Sequence, residues 1–149
     1  MKPSRSPIDE IVQDCLGVRV RLIGRAVSAV YDHAVGGHGV TIAQVSLMAV
    51  LGKVGRCPPS RLGEVLQLER STVSRNLEIL LRNGWVQADS SDAKGVREVS
   101  LTSAGRQKLE SVMPAWRRAQ AEAARLLGDV GVQMVHTVAD SLWGPPSPR

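Results

Sequence analysis

The chain has 149 residues, a formal charge of +5 at pH 7 and two cysteines far apart in sequence. That length is one domain's worth and can bury a core. The cysteine count argues against a disulfide scaffold and suits a reducing compartment. Phenylalanine is absent and aromatics make up 3% of the residues, which argues against the aromatic platforms of single-strand binders. No apolar run approaches the roughly 20 residues of a membrane span.

The opening MKPSRSPIDE has no apolar signal-peptide region, so a cytoplasmic protein is expected. Ile8, Ile11, Val12, Cys15, Leu16, Leu22, Ile23, Ala26 and Val30 then mark a helical stripe over about 7–35. Cys15 lies on that stripe and reads first as a buried structural thiol. Arg19, Arg21 and Arg25 read as a solvated face or, alternatively, the lining of a pocket for an acidic ligand. Gly36, Gly37, His38 and Gly39 end the helix. Thr41-Ile42-Ala43-Gln44 is a capping box opening a helix that runs to about Val54. Cys57 falls in a loop and looks incidental. Pro58-Pro59-Ser60 reads as a stop followed by an N-cap, with Leu62, Val65 and Leu66 as the inner face of a short helix.

Gln67-Leu68-Glu69 makes a tight turn into a second helix. Val73, Leu77, Leu80 and Leu81 recur as one apolar stripe, with Ser71, Ser74, Arg75, Glu78 and Arg82 on the other side. Hydroxyls and an arginine in the first turns suit base edges in a major groove. Arginine can pair bidentately with guanine, and a helix N-terminus attracts phosphate. Asn83-Gly84 supplies a left-handed stop. Trp85-Val86 starts a strand, and Val96 to Leu101 returns, with Val99 and Leu101 on one side. The polar loop from Asp89 to Gly95 is longer than a minimal turn. This order predicts a mainly α fold with a small β-hairpin wing, a winged helix-turn-helix.

Thr102 or Ser103 caps a further helix with Leu109, Val112, Trp116, Ala119 and Ala123 inward. Pro114 should bend or interrupt it. Gly128-Asp129 breaks the pattern, and Val132, Val135, Val138, Ala139 and Leu142 mark a last helix before a tail, 144–149, expected to be disordered. The helices at 7–35 and 102–143 carry more apolar surface than a lobe at 41–101 can cover. Pairing with a second copy is therefore expected, an intramolecular bundle being the other solution.

The chain resembles the MarR family of bacterial transcription regulators. The residues that carry the likeness are Leu62 to Leu66, Ser71 to Leu77, Leu80 with Asn83-Gly84-Trp85-Val86, and Val99-Ser100-Leu101-Thr102 with Gly105. The family's wing arginine follows an aspartate by two residues; here Lys94 stands there after Asp92, so Lys94 and Arg97 are both wing candidates. The resemblance implies a homodimer that binds double-stranded DNA and is released by a small effector. The DNA-binding residues expected are Ser60, Arg70, Ser71, Thr72, Ser74, Arg75, Asn76, Lys94 and Arg97. Cysteine-based peroxide sensors occur in the family, and Cys15 resembles their cysteine in place, which makes it the candidate redox residue. A winged-helix module that contacts protein rather than DNA is the alternative of another class. No catalytic motif, metal spacing or cofactor site is evident.

Overall fold

A computed structural model describes residues 5–89 and 97–142. The wing tip, with Asp92 and Lys94, and the tail at 144–149 lie outside the described residues. The order is α1 (Pro7–Asp14), α2 (Leu16–Val35), a short 3-10 turn (Gly36–His38), α3 (Ile42–Val54), α4 (Pro59–Leu66), α5 (Arg70–Arg82), β1 (Val86–Asp89), β2 (Glu98–Leu101) and α6 (Ser103–Leu142).

The expected first helix is two helices. Cys15 adopts extended backbone (φ −67°, ψ 111°), closing α1 and opening α2. It therefore sits at a corner rather than in the middle of a continuous stripe, and it is half-buried rather than buried. Arg19 explains part of the corner. Its Nε donates to the Gln13 carbonyl at 2.9 Å, satisfying an acceptor that the end of α1 leaves without a helical partner. Arg19 is exposed, as expected of a solvated face, and its head group in addition ties this corner.

The capping box forms as read. Gln44 N–H donates to Thr41 Oγ1, and Thr41 N–H donates to Gln44 Oε1. It starts the most buried helix, in which Leu47, Met48 and Leu51 lie at the centre of the core. Leu62 of α4, Val73, Leu77 and Leu80 of α5, Val86 and Val99 of the hairpin, and Val112 of α6 close around them. Two positions depart from expectation. Pro58, not Ser60, caps α4, and Ser60 lies within its first turn; proline's fixed φ favours the first helical position, here Pro59, so the cap moves back two residues. Pro114 does not interrupt α6; the backbone leaves the helical region at Gly128 (φ 68°, ψ 167°), where the sequence pattern was expected to break.

The hairpin is antiparallel, with Val86 opposite Leu101 and Ala88 opposite Val99. Cys57 adds a bridge on the other edge of β2: its N–H donates to the Val99 carbonyl (3.1 Å) and Val99 N–H donates back (2.9 Å). Cys57 is thus a buried part of the wing's root rather than an incidental loop residue. Burial pushes its thiol pKa up, Glu98 adds to the rise and Arg61 opposes it, so the thiolate needed for reaction is disfavoured. Among the described residues, no single helix is long and apolar enough to cross a membrane.

Candidate nucleic-acid interface

Helix α5 is held by its apolar side. Val73, Leu77 and Leu80 are buried, and Leu81 packs at the edge of the core. The 3.6-residue period then turns Ser71, Arg75, Glu78 and Arg82 to solvent, and Arg70 and Ser74 are also exposed. Glu69 precedes the helix without making a side-chain cap, so the N–H groups at Arg70 and Ser71 have no side-chain acceptor there and the positive end of the helix dipole is open.

The other end is tied down. Gly84 N–H donates to the Leu81 carbonyl (3.0 Å), and Trp85 N–H to that of Leu80 (3.1 Å). Together they form a Schellman motif, with Gly84 at φ 71°, a conformation that an L side chain strains. This motif sets the direction in which the chain leaves α5 and enters β1. Thr102 locks the joint, because its hydroxyl lies 2.7 Å from the Gly84 carbonyl and accepts from Gly105 N–H at 3.0 Å.

The exposed charges of the two helices sort themselves. Arg61 pairs with Glu64 and Arg82 with Glu78, each at 3.2 Å. Among the described residues, neither Arg70 nor Arg75 has an ion-pair partner. Thr72 and Asn76 are half-buried, and Asn76 Nδ2 donates to the Thr72 carbonyl at 2.9 Å. Of the residues expected at this site, Ser60, Arg70, Ser74 and Arg97 line one groove between α4, α5 and the wing root, floored by Leu68, Val73, Leu77 and Val99. Ser71 and Arg75 are exposed and do not line it. Cys15 belongs to the α1–α2 corner on other elements.

The sequence reading missed Arg56. Its guanidinium contacts Asp89 and lies 2.7 Å from Glu98, across the root of the wing. No linear motif marks it, because the contact depends on strand register. It also missed Lys108, whose ammonium sits 4.9 Å from the centre of the Trp85 ring and pins α6 to the start of the hairpin.

Arg97 is exposed immediately before β2. Arg97→Ala should weaken binding to duplex DNA of any sequence and lower the slope of log affinity against log salt by about one. A salt titration with an unchanged slope would show that this side of the wing meets no phosphate.

The MarR family model matches residues 38–95, which covers α3 to the wing. A solved structure of the M. tuberculosis transcriptional regulator MosR in complex with DNA is 31% identical, with a TM-score of 0.73, and the match covers 87% of this chain and 94% of that one. A probable transcriptional regulator from Pseudomonas aeruginosa is 26% identical, with a TM-score of 0.75 and coverage of 88% and 98%. An E. coli MarR mutant complexed with operator DNA is similar in fold, at 18% identity, a TM-score of 0.77 and coverage of 93% and 99%. No curated protein sequence matches the chain. With the winged helix-turn-helix in place and a relative of this identity covered almost end to end, the chain belongs to the MarR family of transcriptional regulators.

Proposed function

We propose that the protein is a homodimeric, non-enzymatic, cytoplasmic regulator that recognises a double-stranded operator. The observation that carries this is the geometry of α5: one face is anchored by Val73, Leu77 and Leu80, and Ser71 and Arg75 stand clear on the other. Two structural relatives are named as complexes with DNA, which supports the same use here. Helix α5 enters the major groove, with Arg70, Ser71, Thr72, Ser74, Arg75 and Asn76 on or beside its leading turns. Ser60 meets the backbone, and the wing, through Lys94 and Arg97, reaches the adjacent minor groove.

In this reading, residues 41–101 form the DNA-binding lobe. The helices at 7–35 and 102–143 join two copies about a two-fold axis, and the two recognition helices then match half-sites about one DNA turn apart. A small effector that changes the angle between those helices and the lobe mismatches the half-sites and releases the operator.

Arg75→Ala tests the reading. It should cost about 1–3 kcal/mol of specific binding to an operator recovered by selection from random duplexes, with helical content and melting temperature unchanged. Equal operator affinity in parent and variant at the same salt would remove Arg75 from base recognition.

A further inference from the structure

Strand register places Asp89 directly opposite Glu98, the last described pair of the hairpin. Val86 and Val99 are buried, so the strand alternation turns Asp89 and Glu98 to the opposite, outer face. Like charges directly opposite each other destabilise a strand pair. They also put two negative charges where the hairpin leaves the lobe toward its proposed polyanionic partner.

Arg56 answers both problems. The Cys57–Val99 rung lays this segment alongside β2, so Arg56, one residue earlier, projects onto the outer face. From there Nε reaches Glu98 Oε2 at 2.7 Å, and Nη2 contacts Asp89. A planar guanidinium presents several donors in a fixed fork and can serve two carboxylates at once.

We infer that Arg56 is a positioning residue for DNA binding: held between Asp89 and Glu98, it cancels the acidic pair at the wing root and fixes the hairpin against the lobe. The inference rests on the DNA-binding reading above. The three side chains are 56%, 41% and 36% exposed, so the clamp contributes little to global stability. Its effect is local, because unpaired carboxylates within a Debye length of about 8 Å repel incoming phosphates.

The test uses the full chain and mixed-sequence duplex DNA at one low salt concentration. It compares four proteins: parent, Arg56→Ala, Asp89→Asn with Glu98→Gln, and all three changes together. Arg56→Ala should weaken binding about three- to tenfold in the parent background and have no effect in the neutralised one. The same loss in both backgrounds would mean that Arg56 meets phosphate itself, and no loss in a parent that binds DNA would remove its role; either result overturns the inference. Amide exchange in the free protein supplies a second reading. Exchange at Val99 and Cys57 should quicken in Arg56→Ala, with core amides of α3 unchanged, and return toward the parent rate in the combined variant. Unaltered exchange at these two amides overturns the clamp. A parent that binds no DNA overturns the DNA reading instead, and the exchange measurement still decides the clamp.

Discussion

The Gly105→Ala chain unfolds about 6–12 °C below the parent at equal protein concentration, for a loss of roughly 3 kcal/mol. A Cβ at position 105 would lie 2.2 Å from the Trp85 carbonyl oxygen and 2.6 Å from Leu101 Cδ1. The first neighbour is backbone, and that oxygen is already engaged by Thr102 N–H at 3.0 Å. It cannot swing aside as a side-chain tip can, so α6 must lift from the wing root. Gly52→Ala is the contrast. Its Cβ would meet only Leu101 Cδ2, at 3.1 Å, the end of a flexible side chain that can yield, and its cost should be a small part of that at 105. Thermal melts of the two variants check the pair. A Gly105→Ala protein that melts with the parent would mean that α6 does not start against the Trp85 carbonyl.

Gly105 also shows what the sequence could and could not convey. As part of a Val-x-Leu-Thr-x-x-Gly pattern it carried a family resemblance, but the physical requirement is a close approach of two backbones that no linear pattern states. Periodicity served well where one face is buried and the other wet. The stripe of α5 and the capping box at Thr41 both formed from the residues that spelled them. It served less well at corners. The apolar spacing continues from Ile8 past Leu16, yet the backbone turns at Cys15, because hydrophobic period records which face is apolar and not whether the axis is straight. Pro114 does not interrupt the helix, for a related reason. A single proline removes one hydrogen bond and adds one clash, and a helix packed through Val112, Ala115 and Ala119 can run on through it. At the candidate interface, the solvent-facing side of α5 was legible from its period, whereas the contacts of Arg56 with Asp89 and Glu98 required the hairpin register before the three became neighbours.

Ile11→Glu combined with Val138→Glu should convert the proposed dimer to monomers and lower operator affinity by about a hundredfold or more. The reason is surface that the described residues leave uncovered. Helix α1 has no buried residue, and Ile8, Ile11, Val12 and Leu16 are 74%, 59%, 65% and 75% exposed. At the far end of α6, Val130, Met134, Val138 and Leu142 recur every four residues, at 84%, 51%, 53% and 63%. An intramolecular bundle would have covered these side chains; two apolar faces from opposite ends of the chain, both open, suit a partner with the same faces. A glutamate pair placed there is solvated in the monomer and costs its fold little, but in a dimer it buries unpaired charge. Once the copies separate, each half-site must be bound alone. The second contact no longer profits from tethering, a gain that commonly spans 10²–10⁴ in affinity. Sedimentation should show the parent as a dimer and the variant as a monomer, with helical circular dichroism retained in both. A variant that still sediments as a dimer would place the contact between copies elsewhere. A monomeric variant that holds a palindromic operator as tightly as the parent would separate DNA affinity from pairing altogether.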